Sequence, residues 1–280
     1  MTTTGPPPAL PTEPGTIAAR IGGLRQAVRR IVAGHPMVYL PIARWRDPEA
    51  VLEADTALVI DGYQRSANTF AVVAFQVAQN DHVRVAHHVH AAAHLVAAAQ
   101  RGVPALFLVR EPEEAILSSL VREPFVTPEQ SLRSYAAFYE RVLPCRSGFV
   151  VATFPEVTEN LGLVIRRVNE RFGTRFAAFE HTQANMEVVF ALIEERARRP
   201  PWEKHLGHFL SGRMSLDKYR AVTDPLRAAA AEELRGVPEN RVSRPSEERR
   251  AVKAMLRDRY LAPELAKLRH RAERAYRAFA

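Results

Sequence analysis

Leu58-Val-Ile-Asp-Gly-Tyr-Gln-Arg-Ser-Ala-Asn-Thr-Phe70 is the stretch from which the fold is read. Ala57 to Ile60 is a short apolar run of the kind that forms a buried parallel strand. The run breaks at Asp61-Gly62, a polar loop follows, and apolar residues return with helical character from Phe70 to Val77. Strand, loop and helix N-terminus in that order make an anion site. The first-turn N–H groups have no intrahelical partners and carry the positive end of the macrodipole. Arg65 adds a side-chain cation, and Ser66, Asn68 and Thr69 add short donors. The loop is expected to grip a phosphate or sulfate. It is not a Walker A loop, because the G-x-x-x-x-G-K-[ST] glycines and lysine are missing.

Outward from this stretch, three more apolar runs read as strands: Val83 to Ala86, Ala105-Leu-Phe-Leu-Val109 and Phe149-Val-Val-Ala-Thr153. Helices are expected at 68–79, 90–101, 112–121, 128–142 and 158–171. Strands alternating with helices give an α/β class with a parallel sheet flanked by helices on both faces. Upstream, Met37-Val-Tyr-Leu-Pro-Ile42 is expected as an extra strand or an edge segment. Residues 16–34 space Ile17, Ile21, Leu24, Val28 and Ile31 at helical intervals with arginines opposite, a basic amphipathic helix expected to pack on the domain's own flank. Beyond residue 180 no strand is expected. Helices at 184–199, 225–235 and 246–278 enclose a Pro-, His- and Gly-containing middle from Arg199 to Pro225, and read together as a helical C-terminal cap. The organisation is a disordered Pro- and Thr-rich tail over 1–15, then one α/β domain over 16–280 with its core at about 55–175 and its cap at about 180–280.

The 280 residues suffice for an ample core, and 47% hydrophobic with 25% charged residues is ordinary for a globular chain. No apolar run approaches the roughly 20 residues of a membrane span, and the start lacks a basic-then-apolar signal sequence. One cysteine, Cys145, excludes an internal disulfide and any cysteine-based metal spacing. A cytoplasmic location is expected. The net charge of +8, mostly from arginine, favours anionic partners, although runs such as Ser246-Glu-Glu-Arg-Arg250 have the mixed charge of solvated helix faces.

A second anion site is expected where the clearest strand ends. Arg110 follows Val109, Pro112 suits a first helical turn, and Glu113 and Glu114 suit its positive end. Ser118 lies eight residues beyond Arg110, about two turns along and on nearly the same side of that helix. An arginine at the carboxyl end of a strand, with a hydroxyl converging on it, suits a phosphate.

Gly62-Tyr-Gln-Arg-Ser-Ala-Asn-Thr-Phe70 resembles the 5′-phosphosulfate loop of the sulfotransferases that use 3′-phosphoadenosine-5′-phosphosulfate (PAPS). Leu108-Val-Arg-Glu-Pro-Glu-Glu-Ala-Ile-Leu-Ser-Ser119 resembles the 3′-phosphate motif of that family, including its arginine-to-serine spacing. Phe154-Pro-Glu-Val-Thr-Glu-Asn160 is similar to the aromatic-Glu-Asp-Met-Lys-Glu-Asn segment that follows the third strand there. The resemblance covers about residues 57–172 and implies a P-loop-like core with PAPS as donor and 3′-phosphoadenosine-5′-phosphate (PAP) as product. The sulfuryl group would pass in line to a hydroxyl, or less favourably an amine, of a small molecule or glycan, with no nucleic acid partner and no membrane span.

By the same resemblance, Arg65 would hold the bridging oxygen, and the N–H groups of Ser66, Ala67, Asn68, Thr69 and Phe70 would hold the 5′-phosphate. Thr69 would add a hydroxyl. Arg110 and Ser118 would clamp the 3′-phosphate, and Phe154 would lie against adenine. Ala67 stands where the family has glycine, a replacement that calls for negative φ there. The family's C-terminal Arg-Lys-Gly segment is absent, and Arg244 is the candidate to serve in its place. His88 falls at the position of the family's base, with His87 and His90 as close rivals. His90 and His94, spaced i, i+4, could also share a metal, but no H-E-x-x-H pattern or third ligand accompanies them, so no metal is assigned. Two other classes stay open: a P-loop-type kinase, which should show Gly-Lys-Ser/Thr and a magnesium carboxylate, and a non-enzymatic basic nucleotide- or nucleic-acid-binding protein.

Overall fold

β1 (Leu58–Gly62) is buried along its whole length and has a strand on each side. β2 (Val85–His87) pairs with one edge, β3 (Ala105–Val109) with the other, and β4 (Val150–Thr153) completes an all-parallel sheet in the order β2-β1-β3-β4. The computed structural model describes residues 33–123, 126–198 and 247–280. The expected tail, nearly all of the basic helix over 16–34, the 199–225 stretch, the 225–235 helix, Arg244 and Ser246 lie outside the described residues.

Period-two alternation divides the core into two layers. Leu58, Ile60, Leu106, Leu108, Val150 and Ala152 pack against α2 (Asn68–Ala78), α6 (Phe154–Phe172) and α7 (Gln183–Arg198). Val59, Phe107 and Val109 point the other way. They join α1 (Pro36–Arg46), α3 (Ala92–Gln100), α4 (Pro112–Arg122) and α5 (Pro128–Val142). The C-terminal α8 (Glu247–Leu261) and α9 (Ala266–Arg277) complete this second layer on α4 and α5, with the Phe279 ring edge-on to Phe107 at 5.0 Å. No helix among the described residues is long and apolar enough to cross a membrane.

β1 leads through α2 to β2 on one side, whereas β3 lies on its other side. The strand order therefore reverses between β1 and β3, and open α/β sheets bind ligands in the crevice at such a point. The closeness of these two strands depends on Gly62, where an added Cβ would sit 2.2 Å from the carbonyl oxygen of Leu108.

Four local expectations change. Residues 37–42 belong to helix α1 and not to a strand. Tyr39, Leu40 and Ala43 pack inward at helical spacing while Met37 is 90% exposed, and Pro36 opens the helix. Pro41 within α1 forfeits one hydrogen bond, to the carbonyl of that exposed Met37. α6 begins at Phe154, four residues earlier than expected, because Thr153 and Glu156 form a capping box. The expected 246–278 helix is split by Pro263 into α8 and α9. β1 also runs on through Asp61 and Gly62 instead of breaking there.

Candidate functional site

After Gly62 the chain turns through Tyr63 to Ala67 into α2. Ala67 is the N-cap in left-handed conformation (φ 64°), which overturns the expected negative φ at the family's glycine position. Arg65 has φ 69°, so two non-glycine residues in one short loop hold a conformation costing about 1–2 kcal/mol each. Such turns gather successive backbone N–H groups into an anion-binding concavity. α2 has no side-chain cap and no acidic residue in its first turn, so nothing within the helix offsets its positive end. The side chains expected as donors are turned away from the loop surface or engaged elsewhere. Ser66 is fully buried, the Asn68 amide donates to the Tyr63 carbonyl at 3.1 Å, and Thr69 Oγ1 lies 3.0 Å from His88 Nε2. Phe70 packs its ring against Phe179 and Phe190. The loop therefore presents backbone N–H groups and Arg65.

Arg110 emerges from β3 beside this loop. Tyr135 and Tyr139 both donate to its carbonyl, at 2.5 and 3.5 Å, and burial pushes both phenols well above their usual range. The Arg110 guanidinium donates through Nη1 to the Arg65 carbonyl at 2.8 Å and through Nη2 to Glu114 at 3.2 Å. It lies 3.9 Å over the Phe154 ring, so this aromatic face meets a cation. Arg65 Nε donates to Ser118 Oγ at 3.0 Å, and Gln64 Nε2 to Ser119 Oγ at 2.5 Å. The two anion sites expected at two strand ends are thus one continuous cluster, bridged by Arg65 across the narrow gap between neighbouring strands. Lys253 of α8 reaches the same edge, 2.9 Å from Glu114 Oε2, while Arg257 pairs with Glu113 at 2.8 Å.

On the other side of β1 lies a buried polar group that sequence reading missed. Asp61 is 0% exposed and accepts from the Gly62 N–H at 2.9 Å, the His90 N–H at 3.3 Å and His94 Nδ1 at 2.7 Å. Burial alone would raise its pKa, but the hydrogen bonds from His90 and His94 outweigh it and hold the carboxyl far below the usual range. Leu52 N–H donates to His94 Nε2 at 3.2 Å, which leaves Nδ1 as the protonated nitrogen facing Asp61. Both ring nitrogens of His94 are thereby used, and the described residues contain no group of three side chains able to hold a metal ion.

His88 and His90 both have positive φ, 59° and 50°. With Arg65 and Ala67 they are all the non-glycine residues of that kind among the described residues, and all four follow the carboxyl ends of β1 and β2. Strain concentrated in this way marks functional sites. His88 bonds through Nε2 to Thr69 and through Nδ1 to His87 Nδ1 at 2.8 Å. His90 donates Nδ1–H to the Gly62 carbonyl at 2.9 Å, with Asp61 Oδ1 at 3.5 Å, and lines a cavity of about 270 Å³. That cavity opens between the first loop, His90, α5 and α9, with Gln64, Ser131 and Arg141 in its wall.

The structure thus brings together Arg65, Ser66, Ala67, Asn68, Thr69, Phe70, Arg110, Ser118, Phe154 and His88 on one edge of the sheet. Gln64, Asp61, Lys253 and the α5 side chains were not anticipated. The Asp61-to-His94 pairing did have a trace in the sequence, an acid at the end of an apolar run with histidines about 30 residues on. Comparisons with family models, curated proteins and solved structures returned no match.

Proposed function

We propose that this chain is a PAPS-dependent sulfotransferase with a P-loop-like core and the C-terminal helices as its cap. The observation that carries this reading is the convergence of Arg65, Arg110 and Ser118 on one crevice at the switch point, beside the uncapped N-terminus of α2. Two guanidinium groups and a row of backbone N–H groups suit a donor with phosphate at both its 5′ and 3′ positions. Bound there, the donor would supply a sulfuryl group on a labile phosphosulfate linkage. The N–H groups of the 65–70 stretch hold the 5′-phosphate, and Arg65 exchanges Ser118 for the bridging oxygen and neutralises charge as the S–O bond breaks. Arg110 and Ser118 hold the 3′-phosphate. Phe154 trades its cation contact for the edge of adenine.

The acceptor hydroxyl must lose a proton as its oxygen attacks sulfur. Among the three neighbouring histidines, His90 suits this step best. Its Nδ1–H is committed to the Gly62 carbonyl, so Nε2 is the basic nitrogen, and Asp61 at 3.5 Å balances the imidazolium that forms. His88, the base implied by the resemblance, becomes a brace between Thr69 and His87.

Thermal shift with PAP, AMP and ATP tests the donor. A ligand at a hundred times its Kd adds about 2.7 kcal/mol of stability, so PAP should raise the midpoint well beyond AMP or ATP. Arg110→Ala should erase the advantage of PAP over AMP. Equal shifts for PAP and AMP on the unaltered chain would end the proposal.

A further inference from the structure

The cavity beside His90 has a chemistry of its own. Its wall contains Arg133, Arg141 and Arg271 and no acidic side chain. Arg133 is tied to Glu129 at 2.8 Å, and Arg271 is paired with both oxygens of Glu140 at 2.7 and 2.6 Å. Arg141 has no ion-pair partner among the described residues. Its guanidinium lies over Gly34, where an added Cβ would come within 2.7 Å of Nε. Arg141 is itself exposed to solvent, and in a wall without acids it is the cation that an incoming negative charge would pair with.

Ser131 supplies a second, independent observation. It is 2% exposed, it lines the cavity, and its Oγ has no hydrogen-bond partner. A buried hydroxyl left unpaired costs about 1–3 kcal/mol, a cost that a polar ligand in the cavity would remove. At about 270 Å³ the space is near the lower limit of small-molecule sites, roughly 300–1,000 Å³. It suits a molecule of about one ring and not a polymer.

We infer that this cavity is the acceptor site and that the acceptor is a small hydroxy acid. Arg141 holds the carboxylate through its planar fork, Ser131 Oγ takes a polar group midway, and the hydroxyl meets His90 Nε2. This deepens the sulfotransferase reading and rests on it for the fate of the hydroxyl. During transfer the acceptor O–S bond forms, the S–O bond to the 5′-phosphate breaks, the proton passes to His90, and PAP leaves with the bond's electron pair.

Calorimetry on the full chain, with and without PAP, would use 4-hydroxybenzoate, 4-hydroxyphenylacetate and 3-hydroxybutyrate, each paired with its methyl ester. At least one acid should bind tenfold or more tightly than its ester, and Arg141→Ala should abolish that preference while PAP binding is unchanged. Ser131→Ala should raise the melting midpoint of the ligand-free chain yet weaken binding of the preferred acid severalfold, a combination that a purely structural serine would not give. Esters binding as well as acids in all three pairs, or an acid preference that survives Arg141→Ala, would overturn the inference. If the acid preference and its dependence on Arg141 hold but PAP binds no better than AMP, the carboxylate site stands and the sulfotransferase reading falls.

Discussion

Where β1 passes into α2 the chain leaves its helix amides uncapped and turns through left-handed Arg65 and Ala67. Where β4 passes into α6, Thr153 and Glu156 close a reciprocal capping box, and Arg167 pairs with Glu156 at 2.8 Å. Both junctions lie at the carboxyl edge of one parallel sheet. The second satisfies its own donors, and burial, which would raise the Glu156 pKa, is outweighed by the Thr153 hydrogen bonds and Arg167, so its carboxyl sits below the usual range. The first keeps its donors open and spends backbone strain to do so. A helix start that is complete in itself supports the fold, and one left uncapped under strain has donors to offer an anion.

The largest test of that contrast is Arg65→Ala. Turnover should fall about 10²–10³-fold, the usual effect of removing one preorganised group that stabilises developing charge. A folded variant with near-normal turnover would make the open junction merely structural. Asp61→Asn comes next. It places an NH₂ group against a histidine N–H and should cost about 1–3 kcal/mol in denaturant melts. Because the folded-state pKa of Asp61 is depressed, its contribution is present above the ordinary carboxylate range near 3.9 and is lost as pH falls through the lower folded value. The unaltered chain should therefore lose stability more steeply below about pH 4 than the Asn variant. Parallel acid limbs would show that this carboxylate contributes nothing.

Thr153→Ala should remove about 1 kcal/mol by losing the cap and leave PAP affinity unchanged, as calorimetry would show. A loss of PAP affinity would mean that the two junctions are not divided in role. The smallest effect is expected from Ala67→Gly. Relief of left-handed strain of about 1–2 kcal/mol less a backbone entropy cost of about 0.4–1 kcal/mol leaves a gain in stability on the order of 1 kcal/mol, read as a rise in the denaturation midpoint. Destabilisation by this change would show that the loop carries no strain at residue 67.

The elements most readable in the sequence were those with continuous apolar runs between turn residues. β3 was found at its exact limits, and the strand-loop-helix order from Leu58 onward was clear. The eight-residue interval from Arg110 to Ser118 sets both side chains on one side of α4, where each meets Arg65. Met37 to Ile42 is ambiguous because five apolar residues around an internal proline fit a strand edge as well as a helix, and only packing of Tyr39, Leu40 and Ala43 decides. The S/T-x-x-E pattern at Thr153 is a local signal of the helix start at Phe154. Asp61 reads as a strand breaker because a charge at 0% exposure is tolerable only with partners, and these come from His90 and His94, some 30 residues away. The cavity draws on α5 and α9, whose approach to the first loop is a tertiary fact without local trace.

The amide of Leu52 has a reach beyond its own turn. By lodging on the far nitrogen of His94 it fixes which face of that ring meets the Asp61 carboxylate, so the imidazole beneath the sheet's edge is a clamp whose two nitrogens are both spent inside the protein. Of the two rings touching Asp61, only that of His90 also lines the cavity. One carboxylate thus ties an inner ring to an outer one and anchors the cavity wall to the centre of the sheet.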